Sequence, residues 1–374
     1  MTPPLLSRIM KHIVHILAAL AVISACGPRD KKPMETPKDE LVHRLFTYAE
    51  NGQIAYGHQD DLFYGHTWKV TDPENDPLER SDVKDVTGKY PVLLGCDLGG
   101  IELGADKNLD GVPFDLMRRA AQKHAERGGI VTFSWHPRHP LTGGDAWDIS
   151  SDQVVKSVLK GGEKEREFRT WLQRAAVFLE SIGPDVPIIF RPWHENIGSW
   201  FWWGGKLCTP EEYQELFRAT WLYFTKDRGL TNILWCYSPN GDVRPEDYMS
   251  RYPGDEFVDI LGVDTYEYVG GGSVEEASAH YKGELRRILT FLTALSYEHQ
   301  KLMCLSETGL ESLVDPAWWT ETLYPVIKDF GISYLLTWRN AHDKPEHFYA
   351  AWKGFEYEDD MKDFAEFDNI LFLD

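Results

Sequence analysis

The sequence predicts an α/β fold, a single-domain (β/α)8 TIM barrel, and three observations carry that expectation. From residue 40 onward, eight short β-branched runs alternate with amphipathic helical patterns, the rhythm of a parallel sheet built from β/α units. No glycine-rich phosphate fingerprint opens any of the helices, which argues against a doubly wound dinucleotide sheet. Each of the eight runs ends in polar residues, as the C-terminal face of a barrel requires. Length and composition allow it, with 374 residues, 43% of them hydrophobic, and 14 tryptophans to build a large core.

Taken in order, the first 26 residues are a targeting segment. Arg8, Lys11 and His12 precede an apolar run over 13–23 that is too short to span a bilayer. The run ends in Ile23-Ser24-Ala25-Cys26, which resembles a bacterial lipobox with Cys26 as the lipidated mature N-terminus. Residues 27–39, charged and Pro-bearing, read as a flexible tether, and 40–374 as the catalytic domain. The expected location is outside the cytoplasm, held to the membrane only through the lipid on Cys26. The residues after Cys26 lack an acidic cluster, which favours the periplasmic side over surface display.

The predicted strands are 55–59, 92–97, 130–136, 186–195, 232–239, 258–266, 302–308 and 332–339. The predicted helices include 114–127, 165–182, 210–228, 274–299 and 316–330. Thr209-Pro210-Glu211-Glu212 orders an N-cap, a first-turn proline and acidic residues, and Asp315-Pro316 opens the last helix in the same way. The acidic tail over 356–363 reads as a solvated helix or loop. Cys96, Cys208, Cys236 and Cys304 show no CxxC spacing and read as buried thiols, not a disulfide or zinc framework. A net charge of −20 argues against nucleic acid or an anionic membrane surface as partner.

The stretch Pro187 to Gly204, PIIFRPWHENIGSWFWWG, is the most informative in the chain. A buried strand that ends in Arg191, His194 and Glu195 and runs into Trp200, Phe201, Trp202 and Trp203 reads as a pocket mouth with aromatic platforms suited to sugar rings. Glu195 ends the fourth strand and Glu307 the seventh, across the barrel mouth. Retaining glycosidases use two such carboxyls about 5 Å apart. Arg191 and Tyr266 can keep one of them ionised, and the tryptophans can keep the other protonated. Asp97, Asp264 and Asn240 read as strand-end capping groups outside the catalytic set. Two other classes are weighed against this. A metal-dependent hydrolase using His58, His136 and His194 lacks paired-histidine spacing, so no metal or cofactor is expected. A non-catalytic glycan-binding lipoprotein expects one carboxylate to have been replaced, and neither is.

RPWHENIGSWFWWG resembles the signature of glycoside hydrolase family 26, a family of (β/α)8 barrels that are mostly β-mannanases. SETG at 306–309, VDTY at 263–266, SWHP at 134–137 and TWRN at 337–340 match its other strand ends, and the resemblance covers roughly residues 50–345. It implies Glu195 as acid/base and Glu307 as nucleophile, with Tyr266 bonded to the nucleophile and Arg191 neutralising it. It implies His194 beside the sugar at −1, Trp338 as the −1 platform, Trp200 as the +1 platform, and His136 and Arg339 as glycone contacts. The implied substrate is β-1,4-mannan or galactomannan, cleaved by a monomer, with β-xylan and mixed-linkage β-glucan as minority alternatives. Loops 63–85 and 139–148 match nothing in the family pattern and leave endo or end-acting cleavage open.

Overall fold

The computed structural model describes residues 36–241 and 243–374. Eight parallel strands form the barrel: β1 (Ile54–Gln59), β2 (Leu93–Asp97), β3 (Ile130–Trp135), β4 (Ile188–Pro192), β5 (Ile233–Tyr237), β6 (Ile260–Glu267), β7 (Leu302–Leu310) and β8 (Tyr334–Thr337). Each is paired with its sequence neighbours, and Ala55 to His58 of β1 pair in parallel with Tyr334 to Thr337 of β8, which closes the ring. The eight-unit expectation holds. β4 and β8 stop short of the predicted runs at their functional ends, at Pro192 and Thr337, so Glu195, Trp338 and Arg339 sit on the loops that follow, whereas β6 and β7 run on to Glu267 and Leu310.

Strand alternation sends one set of side chains into the barrel and the other toward the helices. Ala55, Leu93, Ile130, Ile189, Leu234, Ile260 and Leu302 fill the barrel's lower interior. Below them lies a helix, Pro37–Glu50, that begins where the sequence was read as tether. Thr36 and Asp39 form a capping box, Pro37 occupies the first turn, and Lys38 reaches Asp259 at 2.7 Å. Leu41 and Leu45, one turn apart, are buried against the barrel floor. The described residues begin at Thr36; the signal segment, Cys26 and the rest of the tether lie outside them. Leu45→Ala is expected to lower unfolding free energy by about 2–5 kcal/mol in urea titration while leaving KM unchanged, because Leu45 plugs the end opposite the polar strand termini.

The acidic tail is a helix with a solvated acidic face, as expected, but its apolar side is part of the body. Helix Glu358–Ala365 buries Met361 and Phe364, and its Asp360 accepts the backbone N–H of Trp319 at 2.7 Å. The chain then adds a strand, Ile370–Leu373, beside the N-terminal half of β1. Helices Glu165–Ile182 and Val274–His299 have the expected bounds. The helix after β4 runs from Pro210 to Leu222 and ends in a π-helical turn, Tyr223–Asp227. The four cysteines at 96, 208, 236 and 304 are buried free thiols. Among the described residues, no helix is long and apolar enough to cross a membrane.

Candidate active site

Two local backbone devices aim the carboxylates. After Pro192 the chain leaves the β4 ladder through Trp193 (φ 55°) and Glu195 (φ 52°), both in the left-handed region that side-chain-bearing residues seldom occupy. Surrounding bonds hold that conformation. The Glu195 N–H donates to the Ser238 carbonyl at 2.7 Å, and the Trp193 indole donates to Thr220 at 3.1 Å. The Tyr213 hydroxyl donates to the Trp193 carbonyl at 2.9 Å, the Trp203 indole to the His194 carbonyl at 2.8 Å, and the Gly198 N–H to Asn240 Oδ1 at 2.6 Å. On β7 the register against β6 passes from Leu305↔Val263 to Glu307↔Asp264, so Ser306 is an extra residue. That bulge re-aims the glutamate that follows it.

Glu307 is buried at the mouth of the barrel and accepts from the Arg191 guanidinium and, at 2.6 Å, from the Tyr266 hydroxyl. Arg191 also donates to Asp264 Oδ2 at 2.8 Å, and Asp264 Oδ1 accepts from Ser238 and Ser306, each at 2.7 Å. Asp264 therefore anchors the guanidinium that serves Glu307 and is more than a cap. Burial raises its carboxyl above the ordinary range, with Arg191 pulling the other way. Sequence reasoning passed over this residue, although Asp264 and Tyr266 are two apart on one strand and so share a face.

Glu195 is partly buried and its Oε2 accepts from the Trp200 indole at 2.6 Å. Burial first, then the facing Glu307 and Asp264 carboxylates, push its pKa well above the ordinary glutamate range. Carboxylate oxygens of Glu195, Asp264 and Glu307 lie within 4.8 Å of one another. Among the described residues this is the one acidic cluster dense enough to hold a cation. The Arg191 guanidinium already occupies two of the three carboxylates, so the place for a positive charge is taken.

His136 and His194 meet edge to face with ring centroids 4.6 Å apart. Asp97 accepts from His136 Nδ1 at 2.7 Å and from Ser134 at 2.6 Å. Burial works against His136's charge, but Asp97 overcomes it and raises the imidazole's pKa. His194 is the opposite case: burial, then Arg191 and His136, hold its pKa well below normal, so its ring is neutral, and its Nδ1 has no partner among the described residues. Asp97 is thus another positioning carboxylate that the sequence left among caps. Trp147, in an unmatched loop, stacks on His136 at 5.1 Å and 12°. Trp338 lies half-buried at 6.3 Å from His136. Arg339 stands apart from the carboxylate pair, bound to Asp110 at 2.9 Å and to Tyr64 at 3.4 Å. Of the tryptophans and phenylalanine after Glu195, only Trp200 is exposed. Phe201, Trp202 and Trp203 are buried core that supports the loop. A cavity of about 630 Å³ opens beside Glu195, Trp200 and Tyr266.

A sequence model described as glycosyl hydrolase family 26 matches residues 41–283. The chain belongs to this family. Its fold superposes on the solved structure of the family 26 β-mannanase BoMan26A from Bacteroides ovatus with a TM-score of 0.84 and 41% identity, over 92% of this chain and 96% of that one. Mannan endo-1,4-β-mannosidase from Bifidobacterium adolescentis is 32% identical over 82% of this chain, which spans 32% of that relative's length. The enzyme of the same name from Bacillus subtilis is 28% identical over 68% of this chain and 71% of its own. The family 26 match includes Glu195 and stops short of Glu307; the likeness to the Bacteroides structure extends over nearly the whole chain.

Proposed function

We propose that the protein is a retaining glycoside hydrolase that cleaves β-1,4-mannosidic bonds in mannan-type polysaccharide. The observation that carries this is the pairing of two carboxylates within 4.8 Å in contrasting surroundings. That spacing suits direct attack on the sugar and leaves too little room for an interposed water, which inverting enzymes require. Glu307, ion-paired with Arg191 and hydrogen-bonded by the Tyr266 hydroxyl, attacks the anomeric carbon. Glu195, kept protonated by its surroundings, gives its proton to the departing oxygen. A glycosyl–Glu307 ester forms, the leaving chain departs, and Glu195, now a base, takes a proton from the water that hydrolyses the ester. The names of the family 26 relatives support mannan as the substrate.

In this reading Trp338 and Trp200 are the platforms on either side of the cut, and neutral His194 offers its free ring nitrogen to the sugar bound beside the carboxylates. His136 and Arg339 lie on the glycone side. A panel of β-mannan, galactomannan, glucomannan, β-xylan and mixed-linkage β-glucan tests the assignment, with Glu307→Ala protein as control. Release from mannans alone is expected; release from xylan or β-glucan instead would overturn the substrate.

The Trp200 indole bond supplies a second test. It stabilises ionised Glu195, so its removal in Trp200→Phe is expected to raise the acid's pKa further. The basic limb of kcat/KM against pH should then move to higher pH. A shift to lower pH would contradict the assignment of Glu195 as the acid.

Export and a lipid on Cys26, with the catalytic domain on the periplasmic side, complete the proposal, supported by the apolar run and Ile23-Ser24-Ala25-Cys26. Radiolabelled palmitate should enter the wild-type protein and not Cys26→Ala, and protease added to intact cells should leave the enzyme uncut.

A further inference from the structure

The pleat of β6 sends Asp264 and Tyr266 into the barrel beside the catalytic carboxylates and sends Thr265 and Glu267 outward toward helix Val274–His299. The cavity beside Glu195 is lined by both sets. It therefore passes around the end of β6 and forms a second lobe outside the ring, walled by Ala277, His280 and Glu284 of that helix.

We propose that this outer lobe binds a hexosyl branch carried by the polysaccharide on the leaving-group side of the cut. The proposal rests on the reading of the protein as a mannan hydrolase. Its side is given by the neighbours: the lobe is continuous with Glu195 and Trp200, whereas His136, Trp147 and Trp338 group elsewhere. Its chemistry fits an uncharged sugar. Thr265 and His280 make no side-chain hydrogen bond among the described residues and line the lobe, while Ile288 and Ala277 offer an apolar floor for a ring's C–H face. The charges present are already engaged. Glu267 accepts from Ser278 and from the Trp318 indole, each at 2.9 Å, and Glu284 pairs with Arg287 at 2.7 Å. Tyr268, 79% exposed at the rim, leaves the entrance open. Ala277, a small residue, faces the space from the first turn of the helix, and Gly241 lets Thr265 pack against the backbone at the lobe's edge.

The test compares kcat/KM on an unbranched mannooligosaccharide and on a galactose-branched one of equal backbone length. Ala277→Trp, which fills the lobe, is expected to lose about tenfold or more on the branched substrate and to stay within about twofold of wild type on the unbranched one. His280→Ala, at an exposed helix position where folding is not at risk, is expected to lose roughly threefold to tenfold on the branched substrate alone, the size of one hydrogen bond. Equal losses on both substrates would mean that the lobe holds backbone sugars, and no loss on either that it holds none; both results overturn the proposal. Wild-type protein silent on the unbranched substrate would overturn the underlying hydrolase reading and this inference with it.

Discussion

Glu307→Ala protein is expected to lose cleavage of both polysaccharide and activated aryl mannosides, by about 10⁴-fold or more, as when another covalent nucleophile is removed. No other group can form the ester. Asp264, the third carboxylate of the cluster, has one oxygen on Arg191 and the other on Ser238 and Ser306, so it cannot turn to the sugar without breaking that set. Because Glu307 is ion-paired, its removal leaves Arg191 facing Asp264 alone, a one-to-one pair, and the fold should survive. Circular dichroism close to wild type with activity lost on both substrate types is the expected pair of results. Residual activity within roughly a hundredfold on the aryl mannoside would mean that the ester is formed elsewhere.

Glu195→Ala separates the two steps. Loss of the proton donor should cost about 10²- to 10⁴-fold on mannan, the usual worth of positioned acid catalysis. An aryl mannoside with an acidic leaving group needs little protonation, so its first step should remain fast and the ester should accumulate because no base activates water. Azide, which needs no base, should restore turnover and yield a glycosyl azide. A burst followed by azide-dependent turnover on the aryl substrate is the expected signature. A uniform loss on mannan and aryl mannoside, with no azide rescue, would give Glu195 a positioning role instead.

The meeting of Glu195 and Glu307 at the barrel mouth was legible because the barrel places polar residues at strand ends and because the run from Arg191 to Gly204 is too polar and aromatic for an ordinary strand exit. What aims the pair was not legible. The bulge at Ser306 inserts one residue without changing the apolar pattern of β7, and the positive φ values of Trp193 and Glu195 are imposed by tertiary hydrogen bonds on residues with no local preference for them. Phe201, Trp202 and Trp203 carry the same side-chain signal as Trp200, yet only packing decides which aromatic is left exposed. The two ends of the body were hidden by charge. Helix Pro37–Glu50 buries only Leu41 and Leu45, and Glu358–Ala365 buries Met361 and Phe364 beneath an acidic surface, too few apolar positions to outweigh composition.

The central claim, direct attack by Glu307 within a carboxylate pair too close to admit water, fixes the stereochemistry of the product. Proton NMR of the reducing end released from β-mannan, recorded before mutarotation, tests it most directly. The account predicts that the β-anomer appears first and the α-anomer grows in only as mutarotation proceeds. First appearance of the α-anomer would mean single displacement by water and would contradict it.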